Sequence, residues 1–293
     1  MPDEKKQVVA RPEDEPRTLI FVDMLGFGAL TERNPTRILD WGPDENGWTG
    51  SGTTELQTRV GRFQAVLDWM VKEQNLSGGV SAQIFSDCAY IDVESSLRAV
   101  RVAVDMMRKF IDLDVPVRMG LGRGTYYSFK YSVENTGRDT VTKALFAGTA
   151  VINAYGAEQC GAKGCRILLD SSVDDDLART RVNEPMVQLA RPMKRVAREV
   201  CYLPQDVHVH EMDERYGRKR IVDQDLEIIR HVKLMEQQSE PMPDKVRVQY
   251  TDTYAAIDAM RQGLGRGTIS LDEAAWREDE ANSELDAAGD QGD

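Results

Sequence analysis

Apolar positions fall into two kinds of pattern along this chain, short unbroken runs and stripes at helical spacing. Thr18-Leu-Ile-Phe-Val-Asp23 is a run of strand formers ending on a carboxylate, which predicts a buried strand. Met24 to Gly28 follows as a turn and opens a short helix to about Glu32. Leu56, Val60, Phe63, Leu67 and Met70 recur every three or four residues and predict an amphipathic helix over 54–74, stopped by Gly78-Gly79. Val80 to Phe85 and Ala89 to Val93 predict a hairpin with Ser86-Asp87-Cys88 at its turn. Leu97, Val100, Val104, Met107 and Ile111 make a second helical stripe. Val117 to Gly122 and Thr125 to Tyr131 predict another pair of strands around Gly124. Ala144 to Ala147 is a short strand, Gly148 opens a third helix to about Glu158, and Cys165 to Asp170 is a further strand. The order β-α-α-β-β-α-β-β-α-β predicts an α+β fold, one antiparallel sheet with helices packed on it.

The flanks read differently. Residues 1–17 are polar and hold Pro2, Pro12 and Pro16, the composition of a disordered leader. Residues 34–53 are broken by proline and glycine and predict a loop insertion. Beyond Val200 the strand signals weaken, and 223–238 and 251–263 carry helical patterns. The chain thus divides into a leader (1–17), a folded domain (18–205), a partly helical extension (206–267) and an acidic tail (268–293).

Charge sharpens that division. The 293 residues carry a net charge of -12, which taken as uniform would repel nucleic acid and anionic lipid. The tail from Thr268 to Asp293 holds nine acids and one base, so it carries -8 and the preceding 267 residues only -4. No stretch approaches the ~18 apolar residues of a membrane span. The first residues lack the apolar core of a secretion signal. Cys88, Cys160, Cys165 and Cys201 form no Cys-x-x-Cys pair and no disulfide framework. These features predict a cytoplasmic protein with neither nucleic-acid nor membrane partners.

The chemistry-bearing feature is the strand that ends in Asp23 and turns through Gly26 and Gly28 into a helix. Glycine lets backbone amides approach an anion, and an adjacent carboxylate would hold a metal beside it. Asp87, at the turn of the 80–93 hairpin, is the second carboxylate that an antiparallel sheet would bring to the same edge. Two neighbouring carboxylates repel unless a divalent cation separates them, and Mg²⁺ or Mn²⁺ fills its other positions with phosphate oxygens. His208 and His210 alternate as strand ligands would, but no third ligand accompanies them, so they and His231 read as surface residues. The basic cluster Met193 to Arg198 reads as a solvated face in which Lys194 is the member able to reach a phosphate.

Five segments in order resemble the class III nucleotidyl cyclases. Phe21-Val-Asp-Met-Leu-Gly-Phe27 resembles that family's first metal-binding segment, and Gln83-Ile-Phe-Ser-Asp87 stands where it has Lys-x-x-Gly-Asp. Val117-Arg-Met-Gly-Leu-Gly-Arg-Gly124 resembles its Val-Arg-x-Gly-x-x-x-Gly. Gly148-Thr-Ala-Val-Ile-Asn-Ala-Tyr-Gly-Ala-Glu158 resembles its Gly-Asp-x-Val-Asn-x-Ala-x-Arg-x-Glu. Lys163-Gly-Cys-Arg-Ile-Leu-Leu169 resembles the strand that follows. The match spans roughly 18–170. Both metal aspartates are present, whereas Gln83 and Leu145 stand at the two positions that read a purine, and Ile152 and Gly156 at those of the transition-state Asn and Arg. Asn153 is one place out of register. Retained metal ligands with altered base readers resemble the pyrimidine cyclases of bacterial anti-phage defence, the Pycsar type.

The resemblance implies a ferredoxin-like cyclase domain over 18–205 that converts UTP to 3′,5′-cyclic UMP and pyrophosphate. CTP, a purine triphosphate, or nucleotide binding without turnover remain the alternatives. It implies two Mn²⁺ or Mg²⁺ ions held by Asp23, Asp87 and the Met24 carbonyl. Amides of Leu25, Gly26, Phe27 and Gly28 and the guanidinium of Arg166 would receive phosphates, and Gln83, which both donates and accepts, would meet the base. It also implies a homodimer with sites at the interface and a separate effector that responds to the cyclic nucleotide.

Overall fold

A computed structural model of the chain describes residues 15–34, 43–44, 47–48, 54–75, 80–134, 140–180, 186–193, 195–203 and 214–266. The elements run β1 (Arg17–Met24), α1 (Phe27–Arg33), β2 (Pro43–Asp44), β3 (Gly47–Trp48), α2 (Glu55–Asn75), β4 (Val80–Ile84), β5 (Cys88–Val93), α3 (Ser96–Asp112), β6 (Val117–Gly124) and β7 (Tyr127–Glu134). They continue with β8 (Thr140–Ala147), α4 (Thr149–Glu158), β9 (Ile167–Asp170), α5 (Ser171–Arg179), β10 (Met186–Met193), β11 (Val196–Val200), α6 (Glu214–Gln238) and α7 (Asp244–Gly263).

The class is α+β. Seven strands form one sheet in the order β10-β11-β9-β6-β1-β5-β4, with β1 antiparallel to both β5 and β6. The β6–β9 pair is parallel, so the sheet is mixed rather than wholly antiparallel. Strand β1 lies in the interior of that sheet and is buried on both faces, which explains its unbroken apolar run. Ile20, Val22 and Met24 join Phe63, Leu67, Met106 and Phe110 from α2 and α3 in the main core. Leu19 and Phe21 point the other way, against Ala150 and Ala154 of α4. Asp23 is the next residue in the Leu19–Phe21 row.

The approach of α4 to the sheet depends on glycine. A Cβ on Gly120 would lie 2.2 Å from Ala154 O, and one on Gly122 would lie 2.2 Å from Ala154 N. Two segments that carry the cyclase resemblance therefore contribute small residues that let a helix lie directly on β6. The buried methyls of Ala150, Ala154 and Ala157 fill the contact.

Several expectations change. β6 and β7 do not pair with each other, because β1 and β9 occupy both edges of β6. Instead β7 forms a separate two-stranded sheet with β8. Helix α5 was not expected from the sequence; the Asp170 carboxylate caps it by accepting from Ser172 N at 2.9 Å, and Val173 and Leu177 bury one face. Strands β10 and β11 were not expected either. The basic cluster lies partly in β11, where Val196 and Val200 are buried and Arg198 pairs with Asp174, so it is not a wholly solvated face. The first strand begins at Arg17, whose Nε donates to Asp92 Oδ1 at 2.7 Å. Residues 1–14, most of 34–53, Lys194, His208, His210 and the acidic tail lie outside the described residues. His231 meets Asp114 at 3.0 Å.

Helices α6 and α7 pack on the domain through its own core. Leu226, Ile229, Val232, Met235, Tyr250, Ile257 and Met260 belong to the same buried cluster as the sheet. Asp225, buried on α6, pairs with Arg261 and, at 2.9 Å, with Arg266. Among the described residues no helix is long and apolar enough to cross a membrane.

Candidate active site

The register of the sheet brings the two predicted aspartates to one edge. Asp23 lies opposite Cys88 in the β1–β5 ladder, and Asp87 is the residue before Cys88. Met24 N donates to Asp87 O at 2.8 Å, which ties the end of β1 to the hairpin turn. Ser86 Oγ donates to Asp87 Oδ1 at 2.9 Å and orients that carboxylate. Both aspartates line a cavity of about 640 Å³ together with Met24, Gly26, Phe27, Gly28 and Ala29. Gly26 has φ 76°, the left-handed conformation that starts α1 without a side-chain cap.

Three predicted substrate contacts are placed less simply. Leu25 is buried and its amide donates to Pro116 O at 2.8 Å, so that amide is spent on the fold and is not available to a phosphate. Gln83 sits on edge strand β4, opposite Tyr90, and is not among the residues lining the cavity. Nor is Arg166: its Nη1 meets Glu199 Oε2 at 3.1 Å, its Nε donates to Lys163 O at 2.9 Å, and its Nη2 donates to Asp252 O at 3.4 Å. Asn153 donates through Nδ2 to Arg123 O at 3.0 Å, a packing role away from the cavity. Ile152 is exposed, and a Cβ on Gly156 would lie 3.9 Å from Arg195 Nη1.

Two further charged residues, Arg118 and Glu158, shape the electrostatics of the site. Arg118 lies opposite Asp23 in the β1–β6 ladder, and its guanidinium is held by Glu158 at the end of α4, with Nε at 2.7 Å. Arg118 Nη1 also donates to Ala162 O at 3.0 Å. Glu158 is fully buried. Burial is the main cause that raises the Asp23 carboxyl to about 7; Glu158 and then Asp87 add to the rise, and Arg118 opposes it. Burial, followed by Asp87 and Asp23, pushes the Cys88 thiol to about 11, which leaves it a protonated bystander.

This arrangement fits a divalent cation. Asp23 is a half-buried carboxylate with no ion-pair partner among the described residues, crowded by two further acids; a cation between Asp23 and Asp87 would remove that strain. No group of three or more His, Cys, Asp or Glu side chains with metal-ligand geometry is present among the described residues. A set of two carboxylates suits Mg²⁺ or Mn²⁺, which take one or two and complete their shells with water and phosphate oxygens.

The rest of the cavity wall comes from unexpected places. Lys163 contributes from the α4–β9 loop, and Asp244, Lys245, Val246, Val248 and Gln249 contribute from α7. Arg118 and Glu158 stand inside the quoted segments and were legible as charged motif positions. Lys245 had no such signal, since it is one charged residue in a polar helix more than 200 positions after Asp23.

No protein-family model matches the chain, and no curated protein matches it. Among solved structures it is similar to the catalytic core of a rhodopsin-guanylyl cyclase with converted specificity in complex with ATPαS, at 16% identity, 66% of this chain, 97% of that chain and a TM-score of 0.42. It is similar to the guanylate cyclase domain of RhGC from Catenaria anguillulae in complex with GTP, at 16% identity, 64% and 96% of the two chains and a TM-score of 0.44. It is also similar to a bacterial light-regulated adenylyl cyclase, at 14% identity, 75% and 58% of the two chains and a TM-score of 0.45. At these values the functional reading rests on the chain's own residues.

Proposed function

We propose that the protein is a metal-dependent nucleotidyl cyclase whose substrate is a pyrimidine nucleoside triphosphate, UTP before CTP, and whose product is the 3′,5′-cyclic nucleotide. The observation that carries the reading is the Asp23–Asp87 pair, which shares one cavity large enough for a nucleotide and has no ion-pair partner among the described residues. In the reaction the ribose 3′-oxygen bonds to the α-phosphorus, the bond to pyrophosphate breaks, and the hydroxyl proton passes to solvent. Two divalent ions, when bound, would supply Lewis acidity at the 3′-hydroxyl and charge compensation for the leaving pyrophosphate. Asp23, Asp87 and the Met24 carbonyl would hold them. Gly26, Phe27 and Gly28 also line the cavity, and their amides would receive phosphate oxygens. Gln83 would meet the base from the other protomer of a homodimer, since it lies outside the cavity that holds Asp23.

Residues Gln83 and Leu145 at the purine-reading positions support the pyrimidine choice, and with it a role as an alarm signal in anti-phage defence acting through a separate effector. A second reading has its own support. Ile152 and Gly156 supply no polar side chain where the resemblance places transition-state residues, as in a module that binds nucleotide without turnover. Incubating the full chain with UTP, CTP, ATP and GTP in turn, with Mn²⁺, separates these readings. Cyclic UMP as the main product is expected; cyclic CMP or a cyclic purine nucleotide would reassign the base. Tight triphosphate binding with no cyclic product would establish the second reading.

A further inference from the structure

We infer that Lys163 and Lys245 form the phosphate-binding wall of the cavity and receive the terminal phosphates of the substrate and of the departing pyrophosphate, so that α7 is part of the active site. The inference rests on the cyclase reading for the name of its substrate, but its physical basis is independent of that name. Lys163 and Lys245 are the basic residues among those lining the cavity that Asp23 and Asp87 share. Both are exposed, and neither ammonium has an ion-pair partner among the described residues. Arg166, the cation expected to bind phosphate, is instead held by Glu199, Lys163 O and Asp252 O. The bond from Arg166 Nε fixes the Lys163 backbone without occupying its side chain.

The wall is also anchored. Gly164 N donates to Gln249 Oε1 at 2.8 Å, and Cys165 N donates to Thr253 Oγ1 at 2.9 Å. Gly164 has φ +85°, and a Cβ there would lie 2.6 Å from Thr253 N, so only glycine lets α7 sit this close to the loop. On the far side of the cavity floor, Val246 Cγ1 would lie 3.7 Å from a Cβ on Gly26. The helix carrying Lys245 is thereby pinned between the Lys163 loop and the turn that follows Asp23. A flexible ammonium with three donors suits a terminal phosphate, whose charge and position change as pyrophosphate leaves. Asp244 lines the same cavity and offsets part of the lysine charge in the free protein.

Titration calorimetry of inorganic pyrophosphate with Mn²⁺ into the full chain tests the inference without requiring turnover. Lys163→Ala and Lys245→Ala are each expected to weaken binding about tenfold, and the double variant about a hundredfold, as lost charge-assisted contacts. Lys163→Arg and Lys245→Arg should retain most of the affinity, and Lys72→Ala, on α2 outside the cavity, should retain all of it. Unchanged melting temperature would show that the exposed lysines were removed without harm to the fold. Wild-type pyrophosphate affinity in the folded double variant would overturn the inference, even if cyclic nucleotide is made. Lysine-dependent binding in a protein that cyclises none of the four triphosphates would uphold the phosphate wall and defeat the cyclase reading instead.

Discussion

Two groups of charges in this molecule differ in what neutralises them. Within the scaffold, Arg118 is matched by Glu158, Arg166 by Glu199, and Arg261 and Arg266 by Asp225, each acid at most 2% exposed at its side chain. At the cavity, Asp23 and Asp87 on one side and Lys163 and Lys245 on another share a space and have no ion-pair partners among the described residues. Buried charge survives in a fold only when paired. Charge left uncompensated in a cavity is available to a ligand that brings its own ions. The pairs therefore hold the scaffold, and the unpaired groups define what the scaffold is for.

The largest effect expected from this division is on chemistry. Asp23→Asn or Asp87→Asn should reduce turnover by about a thousandfold or more, as loss of a group that organises charge in the transition state does. The same Asp23→Asn change should make the metal-free protein more stable, because it removes a crowded, half-buried carboxylate. The pH dependence gives the sign. A carboxyl raised to about 7 in the folded state binds more protons folded than unfolded between its ordinary 3.8 and 7, so stability falls as pH rises through that window. Melting curves without metal should show that slope in the wild type and lose it in Asp23→Asn. An identical slope in both proteins would mean Asp23 is not strained, and the contrast between the two groups would fail at its centre.

Next in size is the cost of unpairing a scaffold charge. Arg118→Ala leaves the fully buried Glu158 without its partner and should cost about 3–5 kcal/mol in denaturant unfolding. Arg118→Met combined with Glu158→Leu should recover most of that loss, since a buried pair can often be replaced by apolar packing. A double variant no more stable than the single one would show that the pair does more than satisfy itself, for instance by setting the position of Asp23 across the ladder.

The same division explains what the sequence could reveal. β1 was legible because a strand buried on both faces needs an apolar run, and α3 because one helical face buries nine side chains at regular spacing. The Asp23–Asp87 meeting was legible because a hairpin beside β1 brings its turn to the strand end. What escaped depends on long-range contact. The parallel β6–β9 pairing has no local signature, and α5 is only nine residues long with two buried apolar positions. The Arg166–Glu199 pair joins residues 33 apart, so Arg166 taken alone gave no sign that its guanidinium was engaged. Lys245 was hidden for the converse reason. It touches nothing that a hydrophobic pattern records, and only the docking of Gln249 and Thr253 on the Gly164 loop brings it to the cavity.

Arg166 offers the smallest expected effect and the sharpest line between the two groups, because resemblance assigns it to phosphate while its contacts place it in the scaffold. Arg166→Lys keeps a positive charge near Glu199 but lacks the planar fork that also reaches Lys163 O and Asp252 O. Burial raises the Glu199 carboxyl and Arg166 works against that rise, so a less well placed cation should cost about 1 kcal/mol of stability. Pyrophosphate affinity should stay within about twofold of wild type, given that one positive charge is retained and the cavity lysines are untouched. A loss of tenfold or more, with stability unchanged, would show that the guanidinium leaves Glu199 for the ligand. Arg166 would then belong with Lys163 and Lys245, and Glu199 would be the resting partner of a catalytic cation rather than part of the frame.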